Sequence, residues 1–136
     1  MFQTGGLAYV YLIYGMYDMF NVVTNIAGKP HAILIRAVAP DIGIETMLER
    51  RKFLTLNSGL TSGPGKLARA MGIQRAHSGL SLQEDQIWLE EPRIHVDQEQ
   101  IIASPRVGVE YAGEDALLPY RFRIRGSKWT SSAPTP

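Results

Sequence analysis

Tyr9, Tyr11, Tyr14 and Tyr17 place four tyrosines within nine residues, with Phe20 just beyond, grouped around Gly15. Such rings are half-polar stacking platforms, and a nucleobase stacks on each with about 1–3 kcal/mol. The high β-propensity of tyrosine offers a plainer account, in which these are ordinary strand residues. The positions of Tyr14 and Met16 beside a turn glycine fit that account less well. A large apolar side chain at a hairpin tip has no core to fill and suits insertion between stacked bases.

A second group is Thr61-Ser62-Gly63-Pro64-Gly65-Lys66. Glycines and a serine at a helix start expose backbone N–H groups where the helix dipole is positive, and Lys66 adds a full charge, which together suit a phosphate. The segment is not a P-loop, because Leu60 stands where that spacing needs glycine and Leu67 where it needs Ser or Thr. An ordinary cap with proline at the first helical position explains the same residues. Arg36 is the third candidate, set within the apolar run Ile33, Leu34, Ile35, Ala37 and Val38. An arginine buried in a sheet needs a carboxylate or phosphate partner, whereas on an exposed edge it needs none. His31, His77 and His95 are scattered without paired spacing, so no metal site is expected. No nucleophile–base–orienter signature is present either.

The elements that must position these residues follow from local pattern. Leu7 to Tyr14 alternates Tyr9, Tyr11 and Ile13 with Ala8, Val10, Leu12 and Tyr14, which predicts a strand. Tyr14 to Tyr17 reads as a turn, because Gly15 accepts positive φ. Met19–Thr24 and Ala32–Val38 are β-rich runs joined by a polar Gly/Pro stretch, Asn25 to Pro30. Asp41 is a candidate N-cap for a helix to about Phe53. A second helix is predicted from Pro64, with Gly72 as its terminating residue. Further strands are expected at Ile87–Leu89, Arg93–Val96, Arg106–Tyr111 and Tyr120–Arg125, and a loose tail from Ser131. The pattern predicts an α+β fold over residues 1–136, a single domain with a mainly antiparallel sheet and a few helices.

Composition sets the bounds. With 136 residues and 45% hydrophobic content the chain can build a real core, and 20% charge excludes a disordered tail. No apolar run approaches the ~20 residues of a membrane helix. Leu7–Ile13 has no basic flank and no small-residue cleavage site after it, so no secretory signal is expected. Cysteine is absent, which removes disulfides and thiolate metal sites. The net charge of +1 hides a pattern: His31–Arg75 carries seven basic and three acidic residues, and Ala76–Gln100 six acidic residues against Arg93 alone. A domain with one basic and one acidic face can lie on a polyanion by its basic side.

Several of these residues recur together in a known family. Ala8-Tyr9-Val10-Tyr11-Leu12-Ile13-Tyr14-Gly15-Met16-Tyr17, then Asn21, Leu34-Ile35-Arg36-Ala37 and Ser62-Gly63-Pro64-Gly65-Lys66, resemble the alkyladenine (3-methylpurine) DNA glycosylase family. Arg106-Val107-Gly108-Val109, Tyr111-Ala112-Gly113 and the stretch from Arg121-Phe122 through Arg125-Gly126-Ser127 to Trp129 are similar to its C-terminal motifs. The likeness covers nearly the whole chain in the family's order.

The resemblance implies a base-excision-repair enzyme that flips an alkylated or deaminated purine from double-stranded DNA, approached from the minor-groove side, and hydrolyses its N-glycosidic bond by water attack. It implies Tyr14 as the intercalating wedge with Met16 beside it, so that the tyrosine hairpin inserts into DNA. Tyr9, Tyr11 and Tyr17 would surround the flipped base, and Asn21 would oppose the 2-amino group of guanine. Arg36 and the Val107 carbonyl would contact the nucleophilic water. Gly65, Lys66, Arg75 and Gly108 would meet phosphates, Gly65 standing where some relatives have serine. No metal or cofactor is implied. The expected form is a monomer with no membrane partner, cytoplasmic and nucleoid-associated in a bacterium or nuclear in a eukaryote.

One departure bears on catalysis. The family's general base is a glutamate in a Glu-Thr-Glu-Ala-Tyr-like segment upstream of the hairpin, and Met1 to Gly6 contain no acid. The expectation is a family member lacking about its N-terminal third. Without a carboxylate to deprotonate water, attack loses general-base assistance of about 10²–10⁴-fold. The alternative reading is then a catalytically dead DNA-binding fragment.

Overall fold

The structure is a computed structural model that describes residues 1–130; the expected loose tail at 131–136 lies outside the described residues. Alternation of apolar and tyrosine residues gives strand β1 (Ala8–Ile13), which pairs antiparallel with β2 (Tyr17–Val23), and β2 pairs antiparallel with β3 (Ala32–Leu34). Helices α1 (Ile44–Arg51) and α2 (Pro64–Met71) follow, and a second antiparallel pair joins β4 (Ile101–Ser104) to β5 (Arg121–Ile124). Short 3₁₀ turns occupy Ser58–Leu60, Arg75–His77, Gln98–Gln100 and Glu110–Ala116. Two antiparallel sheets and two α-helices make this an α+β fold, as the residue pattern predicted.

One face of the first sheet builds the core. Ala8, Val10 and Phe20 pack with Ala68 and Ile73 of the α2 region and with Leu82, while Val22, Ile35, Leu80 and Ile87 flank them. The outer edge of β1 is covered by a passing segment. Ala8 donates to the Leu80 carbonyl, Gly79 to that of Ala8 and Leu82 to that of Gly6, each at 2.8 Å. This leaves fewer open edge groups, which otherwise invite intermolecular pairing. The covering backbone bonds reach only Ala8, with a Ser78 Oγ contact to Val10 N, so the hairpin beyond Val10 projects free of them.

Several expectations are corrected. Helix α1 starts at Ile44 after a left-handed Gly43, with no side chain capping it, so Asp41 is not its N-cap. It ends before Phe53, because Lys52 adopts φ 56° and turns its N–H back to the carbonyls of Glu49 and Leu48. The β-rich runs 87–89 and 93–96 form no strands: the region is a series of turns with one isolated bridge, Gln83 to Trp88. Residues 106–111 also form no strand, since Gly108 at φ 74° bends the chain into the 3₁₀ turn at Glu110–Ala116. Strand β4 was not anticipated. Strand β3 stops at Leu34, with Ala37 making only an isolated bridge to Ser62. Arg36 therefore lies past the strand and is exposed, which removes the need for a buried ionic partner.

Candidate functional site

Antiparallel partners that sit opposite each other share a sheet face. The register pairs Tyr9 with Asn21 and Tyr11 with Met19, so these four residues line the face opposite Ala8, Val10 and Phe20, while at the tip Ile13 pairs with Tyr17. Asn21 also pairs with Leu34 of β3, which leads towards Arg36. The Tyr9 and Tyr11 rings are 5.5 Å apart at 38°, a tilted pair of half-buried platforms. Asn21 is buried, and its Nδ2 donates to the carbonyls of Tyr9 at 3.2 Å and Met19 at 3.0 Å. Two bonds to backbone lock the side chain and fix which end is nitrogen.

Electrostatics show what else reaches this face. Burial pushes the Tyr11 phenol above its usual range, the neighbouring Tyr9 and Tyr111 phenols push the same way, and the Arg36 charge opposes them. Burial first, then the charges of Arg123 and Arg36, lower the Arg121 guanidinium. The chain thus brings Arg36 and Tyr111 close enough to act on Tyr11, and the buried Arg121 close enough to feel Arg36. Tyr111 and Arg121 carry no role in the sequence reading, although both fall in the motifs that carried the resemblance. Their signal was one of sequence alone, since nothing local places either residue near the tyrosine hairpin. Strand β5 buries Arg121 (7% exposed) and turns Phe122 outward (67%). Val107 and Gly108 lie in the exposed turn three to four residues before Tyr111.

The hairpin tip is a three-residue link between Ile13 and Tyr17, closed by Met16 N donating to the Ile13 carbonyl at 3.2 Å. Tyr14 and Gly15 both take the left-handed region, at φ 52° and 68°. Tyr14 is 82% exposed and Met16 66%, so both large side chains stand in solvent.

Tyr17 sits apart from the other tyrosines. A Cβ placed on Gly65 would lie 3.0 Å from Tyr17 Cδ1, so this ring rests on the start of α2. No side chain caps α2 at its N-terminus, and the exposed Lys66 stands in its first turn. Thr61 instead donates to the Val38 carbonyl at 2.6 Å, which anchors the loop ahead of the helix. Arg75 N donates to Asp18 Oδ1 at 3.0 Å, holding the next 3₁₀ turn against the hairpin. The structure thus divides the predicted residues into two groups. Tyr9, Tyr11, Asn21 and Arg36 belong to the tyrosine face, while Tyr17, Gly65 and Lys66 gather at α2. Among the described residues no three His, Asp or Glu side chains are grouped to hold a metal ion, and no helix is long and apolar enough to cross a membrane.

The sequence that builds this tyrosine-faced sheet and its projecting tip matches one family of proteins along nearly its whole length. The chain belongs to the methylpurine-DNA glycosylase family, whose sequence model matches residues 1–128. It is 40% identical over 133 residues to a protein of Chlamydia felis and 45% identical over 139 residues to one of Bacillus cereus (strain G9842). It is also 45% identical over 133 residues to one of the archaeon Methanocella arvoryzae. All three relatives are provisionally named 3-methyladenine DNA glycosylase. The matches take in 94–96% of this chain and 64–68% of each relative, so the chain spans about two thirds of their length.

Proposed function

We propose that this chain carries the lesion-engaging surface of a base-excision DNA glycosylase, which flips a damaged purine out of duplex DNA for hydrolysis of its N-glycosidic bond by water. The observation that carries the reading is the free-standing Tyr14–Met16 tip beside the Tyr9–Tyr11 face. Flipping costs a few kcal/mol of unstacking, least at a damaged or mispaired base, and a wedge must fill the gap. Tyr14 enters the vacated stack from the minor-groove side, with Met16 beside it. Tyr9 and Tyr11 hold the extruded base by stacking, which tolerates varied alkylpurines. Asn21, fixed by two backbone bonds, cannot withdraw from an extra exocyclic amino group, which disfavours guanine. Arg36 and the Val107 carbonyl are assigned to the nucleophilic water, and Lys66, Arg75, Gly65 and Gly108 to phosphates. The protein acts as a monomer in this reading, and the chemistry calls for neither metal nor cofactor.

Water attack at C1′ needs a base. Among the described residues no carboxylate hydrogen-bonds or ion-pairs with Tyr9, Tyr11, Asn21 or Arg36, and Asp18 lies on the opposite face of the hairpin. This favours a second reading of the 136 residues by themselves, in which they bind and flip but hydrolyse slowly. Base-flipping fluorescence on a lesion-containing duplex tests the common part of both readings. Enhanced signal with the wild-type chain and its loss in Tyr14→Ser is the expected result; no lesion-dependent signal would defeat both.

A further inference from the structure

We propose that the cleft between α1, α2 and the β1–β2 hairpin is a channel for the phosphate backbone of the bound DNA strand, with Arg50 and Arg69 as its cations alongside Lys66. This rests on the reading of the chain as a DNA-engaging glycosylase, and it adds two residues and a surface to that reading.

The cleft has a volume of about 400 Å³. Its lining carries Arg50, Arg51, Lys66 and Arg69 against the single carboxylate of Asp18. None of these four cations makes an ion pair among the described residues, where the only pairs are Arg93–Glu90 and His95–Asp97. Asp18 is already engaged by the Arg75 N–H. Four unpaired like charges drawn to one concave surface repel each other, and folding tolerates this where a ligand of opposite charge repays it. The repulsion is visible at Arg51, whose guanidinium is lowered by burial and then by the Arg69 charge.

The local architecture holds two of the four cations with their charge open. Arg51 is committed to structure: it donates to the carbonyls of Leu60 and Gly59 and stacks 5.0 Å from the Phe53 ring centre. Arg50 uses a single Nη1 bond to the Ala70 carbonyl at 3.2 Å, and Arg69 a single Nε bond to the Arg50 carbonyl at 3.3 Å. Each keeps four further N–H donors. Residues 65, 69 and 72 share one face of a helical run, and the two glycines form the floor. A Cβ on Gly72 would lie 2.8 Å from Arg50 Cζ, and one on Gly65 3.0 Å from Tyr17 Cδ1, so the two glycines let both walls rest directly on α2.

Position and length select a polynucleotide rather than a single phosphate. Met16 and Tyr17 line the cleft, so it begins two residues from the Tyr14 wedge. From Lys66 to Gly72 the helix advances roughly 9 Å at about 1.5 Å per residue. One DNA strand carries a phosphate about every 3.4 Å of helix axis, so two or three successive phosphates match this span. One free phosphate would leave the outlying cations unpaired.

The test is the salt dependence of binding by the full chain, read by fluorescence anisotropy on a lesion-containing duplex and on the undamaged duplex of equal length. Between about 50 and 200 mM salt, Arg69→Gln and Arg50→Gln should each flatten the logarithmic slope by about 0.9. At 0.1 M salt each should weaken both duplexes by about eightfold, the same factor for both. Arg69→Lys and Arg50→Lys keep the charge and should keep the slope, and so should Arg93→Gln, which lies outside the cleft. Unchanged slopes in both glutamine variants, with lesion preference intact, would overturn the channel and leave the glycosylase reading standing. Flattened slopes without lesion preference in the wild-type chain would defeat the glycosylase reading and keep the channel. No DNA binding by the wild-type chain would end both. If Arg50→Gln fails to fold because Arg50 caps α2, the Arg69 pair of variants decides alone.

Discussion

Tyr14 holds a left-handed backbone with its ring almost wholly in water, an arrangement that contributes nothing to packing. Tyr14→Ser should therefore change unfolding free energy by less than about 0.5 kcal/mol, as for other exposed substitutions, while abolishing the flipping signal. Denaturant unfolding beside flipping fluorescence checks this; a loss of several kcal/mol with flipping intact would make Tyr14 a core residue. Asn21 is the opposite case, buried and doubly bonded. Asn21→Ala should leave two backbone carbonyls short of a donor and destabilise by about 1–3 kcal/mol. It should also narrow the preference for hypoxanthine over guanine in an otherwise identical mismatched duplex, as measured by competitive binding. An unaltered preference would remove Asn21 from discrimination. Tyr11 predicts a pH effect. Its phenol is raised in the folded state by burial first and by Tyr9 and Tyr111 second, so its contribution to stability is fully present below the unfolded value of about 10 and is lost as pH rises through the higher folded value. Tyr11→Phe should show a smaller alkaline fall in Tm than the wild type; equal falls would refute the assignment.

At the scale of elements, α2 governs both the core and the cleft. Leu67, Ala68 and Ala70 are buried while Lys66 and Arg69 face outward, so one short helix packs the fold and presents charge. Leu67→Ala should cost about 2–5 kcal/mol in urea unfolding. Gly72 ends this helix at φ 73° and lies under the Arg50 guanidinium. Gly72→Ala should cost about 1–2 kcal/mol for the left-handed backbone alone, and should displace Arg50 from the helix end. A neutral effect would show that Arg50 moves freely. The two helices also show how far local pattern reaches. The start and end of α2 are legible because Pro64 at its first position and Gly72 at its end act through neighbouring residues. The start of α1 is not, because Asp41 and Gly43 both suit a helix start and only the path of the incoming chain chooses between them.

At the scale of the whole molecule, the proposed function separates binding from chemistry. The tyrosine face, the exposed hairpin tip and the basic cleft are all made by residues 1–130, whereas among the described residues no carboxylate hydrogen-bonds or ion-pairs with Tyr9, Tyr11, Asn21 or Arg36. Single-turnover excision of hypoxanthine or 3-methyladenine by the 136-residue chain should fall about 10²–10⁴-fold below that of the Bacillus cereus relative. A rate near the relative's would mean that another acid in this chain serves as base. Glu110, beside Tyr111, would be the first to replace.

The residue order by itself determined the hairpin, its turn at Gly15, helix α2 and the α+β class. Each follows from alternation, glycine and proline acting over a few neighbouring positions. The runs 87–89 and 93–96 were read as strands on the same grounds and are not, because β-propensity makes a strand only where a partner edge is available. Tertiary structure alone decided the pairing of β4 with β5 across the Pro105–Tyr120 loop, and the burial of Arg121 in place of Phe122. It also decided the meeting of Arg50 and Arg69, whose bonds join residues 19 and 20 positions apart. Charges so far apart in the chain carry no joint pattern along it. Only the packing of α1 on α2 brings them to one cleft, the surface proposed for the DNA backbone.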